Sequence, residues 1–389
     1  MIIRKLRSDE AYKAKMLMGC AFNYSVDGEA ERTSSFEEEG IGAFCDDNET
    51  LMAQLVVKPY KSFFCGNTVD AVGIAGVSTY PEYRRNGCIK ALFNEVFNMA
   101  PQRGWLVSYL YPFSYRYYRK YGYEALFKHK TLTVPFDMLT HIDRNSSAVL
   151  YTGQPEIKKG LLQVYNAYAA GRNVCFYRTD AGAYSDNPVK SQRYTYLWNK
   201  DNVPKAYATV KPSQDSTLEV IELVYTDVES LYGILGFLRL YDGQFKKMYI
   251  PILEYDSPAE YLLDSDRSIG SGCYDGVQGR IIDIKTVLEL NKYPEGKGNV
   301  RIKVYGDFIS RNNGIYDISF EGGKGRVVFE KEGDYDIAVT VQSFSRLVFG
   351  DVSGYALPYL NGIEVKCGEK LKTLAECFPR RALNLFERF

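Results

Sequence analysis

A basic, glycine-containing turn at residues 84–87 (Arg-Arg-Asn-Gly) has the residue types that bind a pyrophosphate. Gly87 allows a phosphate to approach the backbone closely, and the two arginines supply positive charge. The apolar run at residues 72–77 predicts a buried strand before the turn, and the apolar spacing of residues 89–100 predicts a helix after it. The first amides of a helix are unpaired and carry the positive end of its dipole, so we expect the phosphates to lie there. The candidate binding residues are Val77, Ser78, Thr79, Arg84, Arg85, Asn86, Gly87, Cys88 and Ile89.

A tyrosine-rich segment follows in the chain. Residues 108–114 predict a strand that ends in a proline turn, and residues 115–121 predict a short helix that is stopped by Gly122. Most of these tyrosines are expected to be structural, because a tyrosine ring packs well while its hydroxyl stays at a wet edge. Tyr118 differs from the others because it begins the pattern Tyr-x-x-x-Gly-Tyr.

An Arg-x-x-Gly turn after a buried strand, followed by Tyr-x-x-x-Gly-Tyr, resembles the GCN5-related N-acetyltransferase (GNAT) superfamily. The resemblance implies that the turn binds the pyrophosphate of acetyl-coenzyme A and that Tyr118 lies beside the thioester sulfur. The superfamily usually has Gly or Ala two residues after the motif glycine, where this chain has Ile89. In this respect the chain resembles the Eis-type acetyltransferases, which favour Arg-Arg-x-Gly followed by large apolar residues. Ser114 is close to the position of a cofactor-contacting serine in that branch, with a spacing to the tyrosine that differs by one residue.

The 389 residues are too many for one acetyltransferase domain, and three units are predicted. Residues 1–145 form the acetyl-coenzyme A-binding GNAT domain, closed by a strand at 131–134. Residues 146–278 repeat the strand-helix order without the Arg-x-x-Gly turn, which favours a degenerate second GNAT domain over unrelated α/β structure. Residues 279–389 open with an Arg-x-x-Asp strand at 279–284, continue with four short strands and then helices, and resemble the sterol-carrier-protein-like domain that closes Eis-type enzymes. The predicted fold class is therefore α/β (α+β).

The chain ends in Asn-Leu-Phe-Glu-Arg-Phe, with Phe389 as its last residue. In Eis-type enzymes a terminal aromatic residue is tucked into the acetyltransferase domain, and its α-carboxylate is the general base. The resemblance implies that Phe389 takes the proton of the attacking amine and that Tyr118 protonates the leaving thiolate. Glu387 is an acidic alternative for the base, and a C-terminal segment docked only for stability is the non-catalytic interpretation.

The composition argues against several classes of partner. Lys plus Arg and Asp plus Glu both number 48, so a zero net charge gives no indication of a nucleic-acid or anionic-membrane partner. The eight cysteines include no Cys-x-x-Cys pair and there are two histidines, so no metal site is expected and the thiols should be reduced. No apolar run is long enough for a membrane span, and the first residues do not resemble a secretory signal, so a cytoplasmic location is expected.

These features together predict an N-acetyltransferase that moves acetyl from acetyl-coenzyme A to a primary amine by direct attack in a ternary complex. Cys88 is better explained by helix packing than as an acyl-accepting nucleophile. The alternatives are a non-catalytic protein that binds acyl-coenzyme A or an apolar ligand, and transfer of a longer acyl or an aminoacyl group. The acceptor stays open among aminoglycosides, polyamines and lysine-like amines. Acidic residues at 27–39 are interpreted as an amine-binding mouth or as a solvated helix face. The resemblance to Eis-type enzymes implies a homo-oligomer, a hexamer.

Overall fold

The structure is a computed structural model, and it describes residues 1–26, 40–179, 181–213, 215–252, 257 and 269–389. In these ranges the chain forms two seven-stranded sheets and one five-stranded sheet. Each sheet is mixed, since antiparallel neighbours are combined with a parallel pair. Helices pack on all three sheets, which confirms the α/β (α+β) class.

The described strands and helices follow the chain in this order. The strands are β1 (Ile2–Lys5), β2 (Gly40–Phe44), β3 (Leu51–Phe64), β4 (Asn67–Thr79), β5 (Val107–Leu110), β6 (Glu124–Ala125), β7 (Lys128–Pro135), β8 (Ala148–Leu150), β9 (Tyr194–Lys200), β10 (Val203–Pro212), β11 (Thr217–Tyr225), β12 (Lys247–Ile252), β13 (Gly270–Asp275), β14 (Gln278–Ile281), β15 (Gly298–Tyr305), β16 (Gly314–Glu321), β17 (Lys324–Glu330), β18 (Ile337–Thr340) and β19 (Glu364–Val365). The α-helices are Ala11–Phe22, Cys88–Arg103, Tyr115–Arg119, Pro155–Ala170, Pro188–Ser191, Val228–Leu238, Ile284–Leu290, Val341–Phe349 and Glu369–Cys377.

The first sheet has the order β1-β2-β3-β4-β5-β14-β6. The sequence predicted the segment of β14 as the opening strand of the third unit, whereas the structure pairs β14 with β5 and β6 in the first sheet. Contacts of Arg280 stabilise β14 in the first sheet. Its fully buried guanidinium donates to the Asp307 carboxylate at 2.8 Å and lies 4.5 Å from the centre of the Phe97 ring. This buried ion pair joins the first sheet to the chain that follows β15.

The second sheet has the order β13-β7-β12-β11-β10-β9-β8. The sequence placed the strand at 131–134 in the first unit, but as part of β7 it pairs with β12 and β13 instead. Leu132 and Val134 explain this placement, because they are buried in one core with Met248 and Ile250 of β12. The first and second sheets thus each contain a strand from across a proposed domain limit, β14 across 278/279 and β7 across 145/146. The domain boundaries stay predictions.

The third sheet has the order β17-β16-β15-β18-β19 and covers the strands predicted between residues 300 and 341. Its core continues into the first sheet, since Val300 and Ile302 of β15 share one buried cluster with Val107 and Tyr109 of β5. The C-terminal unit therefore packs directly against the first sheet. In the described ranges, no helix combines the length and the apolar character needed to cross a membrane.

Candidate active site

A cleft opens where β4 and β5 separate. The two strands pair in parallel only from Ala71 to Ile74 on β4 and from Val107 to Leu110 on β5. β4 continues to Thr79 after β5 has ended, so its backbone beyond Ile74 has no ladder with β5. Backbone donors and acceptors that lack a strand partner need another one, and a ligand lying along β4 can supply it.

A β-bulge on β4 borders this cleft. Ser78 pairs with Gln54 and Ala75 pairs with Val56, so the segment containing Gly76 and Val77 holds one residue more than its partner strand. Gly76 has φ +56°, and a side chain there would approach Val56 Cγ2 to 3.1 Å, which favours glycine. The bulge interrupts pairing and turns the strand edge toward the cleft. Ser78 itself is buried, and its hydroxyl donates to the Gly76 carbonyl at 3.0 Å.

The basic turn leads from the end of β4 into the helix Cys88–Arg103. Residues 84–87 are exposed, and Gly87 has φ +80° and provides no side-chain cap to the helix. A Cβ atom on Gly87 would meet nothing within 4 Å, so the helix start is open to a ligand. Cys88 and Ile89 are buried in the core between helix and sheet, so only their backbone amides are available to a phosphate.

A cavity of about 500 Å³ lies at the cleft. Its wall is formed by residues of the first helix and the segment after it, by β3 and β4, by the segment after β5, and by the chain end. The wall contains Tyr118, Phe389 and Val77, which the sequence had singled out. Thr79 is half-buried at the end of β4 and lies outside this wall.

Tyr118 is placed in the cavity by the short helix Tyr115–Arg119. The residue is 3% exposed, and the rings of Phe113 and Phe93 pack edge-on against it at 5.5 and 6.2 Å. Burial raises the pKa of Tyr118 above its ordinary value, so the hydroxyl stays protonated at neutral pH and can donate. Its hydroxyl makes no hydrogen bond to the described part of the chain. Ser114 lies outside the cavity wall and instead accepts from the Tyr117 amide at the start of this helix.

Phe389 reaches the cavity from the far end of the sequence. Its ring centre lies 5.4 Å from that of Tyr60, 5.6 Å from that of Tyr111 and 5.8 Å from that of Phe176. The ring also lies against β4, where a Cβ atom at Gly73 would come within 2.7 Å of it. Glycine at position 73 therefore makes room for the terminal aromatic side chain.

Glu387 anchors the chain end through a buried charge network. Arg178 Nε donates to the Glu387 carboxylate at 2.6 Å, and Arg178 Nη2 donates to Glu222 at 2.9 Å. The Tyr165 hydroxyl donates to the same Glu387 carboxylate at 3.2 Å, and the Tyr111 hydroxyl donates to the Glu387 carbonyl at 2.9 Å. The Glu387 side chain is thus paired with a guanidinium and does not line the cavity. Of the two proposed bases, only the terminal residue contacts the cavity.

Several residues of the site had not been anticipated. The first helix and the segment after it contribute Met18, Phe22 and Tyr24 to the wall, and β3 contributes Lys58. No local sequence signal marks Lys58 or Arg178, because their positions depend on contacts between distant segments. The acidic residues at 27–39, interpreted as an amine-binding mouth or a helix face, lie outside the described residues. The described part of the chain contains no group of three or more His, Cys, Asp or Glu that could hold a metal ion.

Comparison with known proteins assigns the two ends of the chain to families. The acetyltransferase (GNAT) domain family matches residues 2–126, and the sterol carrier protein domain family matches residues 284–383. None of the curated proteins compared with the chain matches it.

Solved structures match the chain over its whole length. A GCN5-related N-acetyltransferase from Anabaena variabilis is 19% identical with a TM-score of 0.84, and 100% of each chain is covered. A probable N-acyltransferase from Enterococcus faecalis is 19% identical with a TM-score of 0.82, covering 100% of this chain and 99% of its own. Eis1 from Mycobacterium abscessus is 18% identical with a TM-score of 0.81, and 100% of each chain is covered. At these identities the likeness concerns the fold.

The family matches and the fold agree with the motifs at the cleft. The chain thus contains an acetyltransferase domain of the GNAT type at residues 2–126 and a sterol carrier protein domain at residues 284–383, and its fold resembles that of Eis1 over its whole length.

Proposed function

We propose that the protein transfers acetyl from acetyl-coenzyme A to a primary amine by direct attack in a ternary complex. The observation that supports this most strongly is one cavity that contains both the Tyr118 side chain and the chain end at Phe389. The same cavity is bordered by the bulged strand that leads to the basic turn. The proposed acid Tyr118 and the residue proposed to supply the base therefore line one cavity, next to the strand along which we propose that the cofactor lies.

In this proposal the cofactor lies along the carboxyl-terminal half of β4. The pyrophosphate accepts from the backbone amides of Cys88 and Ile89 and is neutralised by Arg84 and Arg85. The pantetheine arm follows the unpaired edge of β4, where backbone groups of residues 75–77 form hydrogen bonds like those of a neighbouring strand. Asn86, Thr79 and Ser114 remain proposed contacts at the margin of this path.

The chemistry requires that the amine nitrogen loses two protons and that the leaving sulfur gains one. The α-carboxylate of Phe389 takes a proton from the ammonium form of the acceptor, because a protonated amine cannot attack a thioester. The amine nitrogen then forms a bond to the acetyl carbon, and the carbon–sulfur bond breaks. The departing thiolate takes the hydroxyl proton of Tyr118, which is protonated at neutral pH. The nitrogen loses a second proton as the amide forms. This proton and the one held by the Phe389 carboxylate pass to solvent, from which Tyr118 recovers its own.

Direct attack is favoured over a covalent acyl-enzyme. Cys88 is the cysteine nearest the proposed phosphate site, and burial raises the pKa of its thiol. A buried neutral thiol is a poor nucleophile, and Cys88 packs in the core beneath the helix.

Further features are proposed from the sequence and the resemblance. They comprise the domain limits 1–145, 146–278 and 279–389, a homo-oligomer such as a hexamer, and a cytoplasmic location. Acceptors considered are aminoglycosides, polyamines and lysine-like amines.

The test of the acid is Tyr118→Phe, which keeps the ring and removes the donor. Turnover in a thiol-release assay should fall roughly 100-fold with little change in cofactor affinity. Tyr117→Phe is the matched control on the same helix and should keep turnover within about twofold. Unchanged turnover in Tyr118→Phe would favour a packing role for this tyrosine.

The test of the base is to append one glycine after Phe389. Every side chain is kept, but the terminal carboxylate moves by up to about 3.6 Å, the length of one extended residue. Since misplacement by about 1 Å can cost on the order of 100-fold in rate, the extended protein should bind cofactor normally and acetylate slowly. Full activity would refute the role of the terminus. If no amine supports thiol release from the unmodified protein either, a non-catalytic acyl-coenzyme A binding protein becomes the better description.

A further inference from the structure

We propose that the amine acceptor also carries an anionic group, such as a carboxylate, and that Lys58 binds it. The inference rests on the proposed function and adds the substrate class. Lys58 projects from β3 into the cavity wall and is half-buried. No ion pair or hydrogen bond joins its ammonium group to any side chain or to the chain end within the described ranges. A partly desolvated charge without a partner is costly, and an anion of the ligand would relieve that cost.

The position of Lys58 along the sheet assigns it to the acceptor half of the cavity. Lys58 pairs with Gly73, and Gly73 lies against the ring of Phe389, the proposed base. The phosphate-binding turn begins after Thr79, six residues farther along β4, which corresponds to about 20 Å of strand at about 3.3 Å per residue. Lys58 is therefore remote from the pyrophosphate and adjacent to the place where the amine must lose its proton.

The rest of the wall fits an apolar body. Met18, Phe22, Tyr24 and Phe113 contribute apolar or aromatic surface, and Lys58 is the one charged side chain of the described wall. A molecule with an amine, an apolar or aromatic body and one carboxylate, in the manner of an amino acid, matches this distribution. A polycation would place a second positive charge near the ammonium of Lys58, which disfavours binding. The amine-binding mouth considered for residues 27–39 lies outside the described residues. Acidic residues at such a mouth would favour polycations, so a preference for polycations is the competing outcome of the experiment.

The experiment compares acceptors that differ only in the carboxylate. Phenylalanine is paired with phenethylamine, leucine with isoamylamine, and lysine with cadaverine, and thiol release from acetyl-coenzyme A gives kcat/KM for each. We expect the carboxylate-bearing member to be preferred by about 10-fold or more, the effect of one charge-assisted hydrogen bond. Lys58→Met keeps an apolar side chain and removes the charge, so it should abolish this preference by lowering kcat/KM for the carboxylate-bearing member of each pair. Lys61→Met, an exposed lysine of the same strand, is the matched control and should keep the preference.

The inference would be overturned by equal use of both members of every pair, by a preference for cadaverine and other polycations, or by an unchanged carboxylate preference in Lys58→Met. The anion could also reside on the acyl group, and succinyl-coenzyme A offered with phenethylamine tests that source. A preference for succinyl over acetyl that disappears in Lys58→Met would assign Lys58 to the acyl chain and overturn the acceptor assignment. If no amine in the panel is acetylated by the unmodified protein, the proposed function fails together with the inference, whereas amine acetylation without carboxylate preference refutes the inference alone.

Discussion

Two strand-helix-strand crossovers of this molecule have the same architecture, but their helices begin differently, one without a side-chain cap and one with it. β4 leads through the helix Cys88–Arg103 to the parallel strand β5, and β11 leads through the helix Val228–Leu238 to the parallel strand β12. A register shift marks the incoming strand of both crossovers. The first helix starts at Gly87 with no side-chain cap, whereas the second starts at Asp227, whose carboxylate accepts from the Ser230 amide at 2.8 Å.

The capped helix start is unsuited to a phosphate. Asp227 and Ser230 form a reciprocal capping box, which satisfies backbone donors that a phosphate would otherwise use. Hydrogen bonding from the Ser230 amide lowers the pKa of Asp227, so its negative charge is present at neutral pH. Next to the bulge of β11, Glu222 pairs with Arg178 and Tyr207. The two crossovers share their architecture and differ in a few turn residues, which is why we propose a cofactor at the first helix start and none at the second.

Reversing the charge of the turn at residues 84–87 should have the largest effect on cofactor binding. We expect Arg84→Glu with Arg85→Glu to weaken acetyl-coenzyme A binding roughly 100-fold in calorimetry, because two charge-assisted contacts are lost and repulsion replaces them. The Michaelis constant for the amine should change much less. Arg103→Glu with Lys128→Glu makes the same change of net charge at exposed positions away from the turn. Equal weakening in both double variants would mean that the overall charge, and not the turn, attracts the cofactor.

Replacing Gly87 by aspartate, the residue that caps the second helix, should have a smaller effect on cofactor binding. Gly87→Asp places a carboxylate at the helix start, and we expect about 10-fold weaker cofactor binding from its repulsion of phosphate. Gly87→Asn is the matched control, since it has nearly the same shape without the charge, and Asn tolerates the positive φ of this position. Equal affinities of the two variants would assign the loss to backbone strain and refute the electrostatic explanation.

The same contrast explains which features the sequence could reveal. The turn at 84–87 and the Tyr118 helix are specified by adjacent residues, so their patterns were recognisable, and the GNAT and Eis-type interpretation was confirmed. The places of β7 in the second sheet and of β14 in the first sheet were not anticipated, because strand pairing joins segments that are distant in the chain. Arg178 was missed for the same reason, since its partners Glu222 and Glu387 lie far away in sequence. The contacts of Phe389 were expected from the resemblance to Eis-type enzymes and not from a pattern in the last residues themselves.

The smallest effect is expected from removing the cap of the second helix. Asp227→Ala should lower the free energy of unfolding by about 1 kcal/mol, the usual contribution of an N-cap, and leave cofactor affinity and stoichiometry unchanged. Asp227→Asn keeps a capping oxygen and should cost only a few tenths of a kcal/mol, the contribution of the charge to the helix start. Because the folded-state pKa of Asp227 is below 3.8, the advantage of wild type over Asp227→Asn is complete above that pH and disappears as the pH falls through the folded pKa. Urea unfolding followed at neutral and acidic pH measures both differences. A second bound cofactor in calorimetry of Asp227→Ala would contradict the comparison, because it would show that the cap alone had kept a functional phosphate site closed.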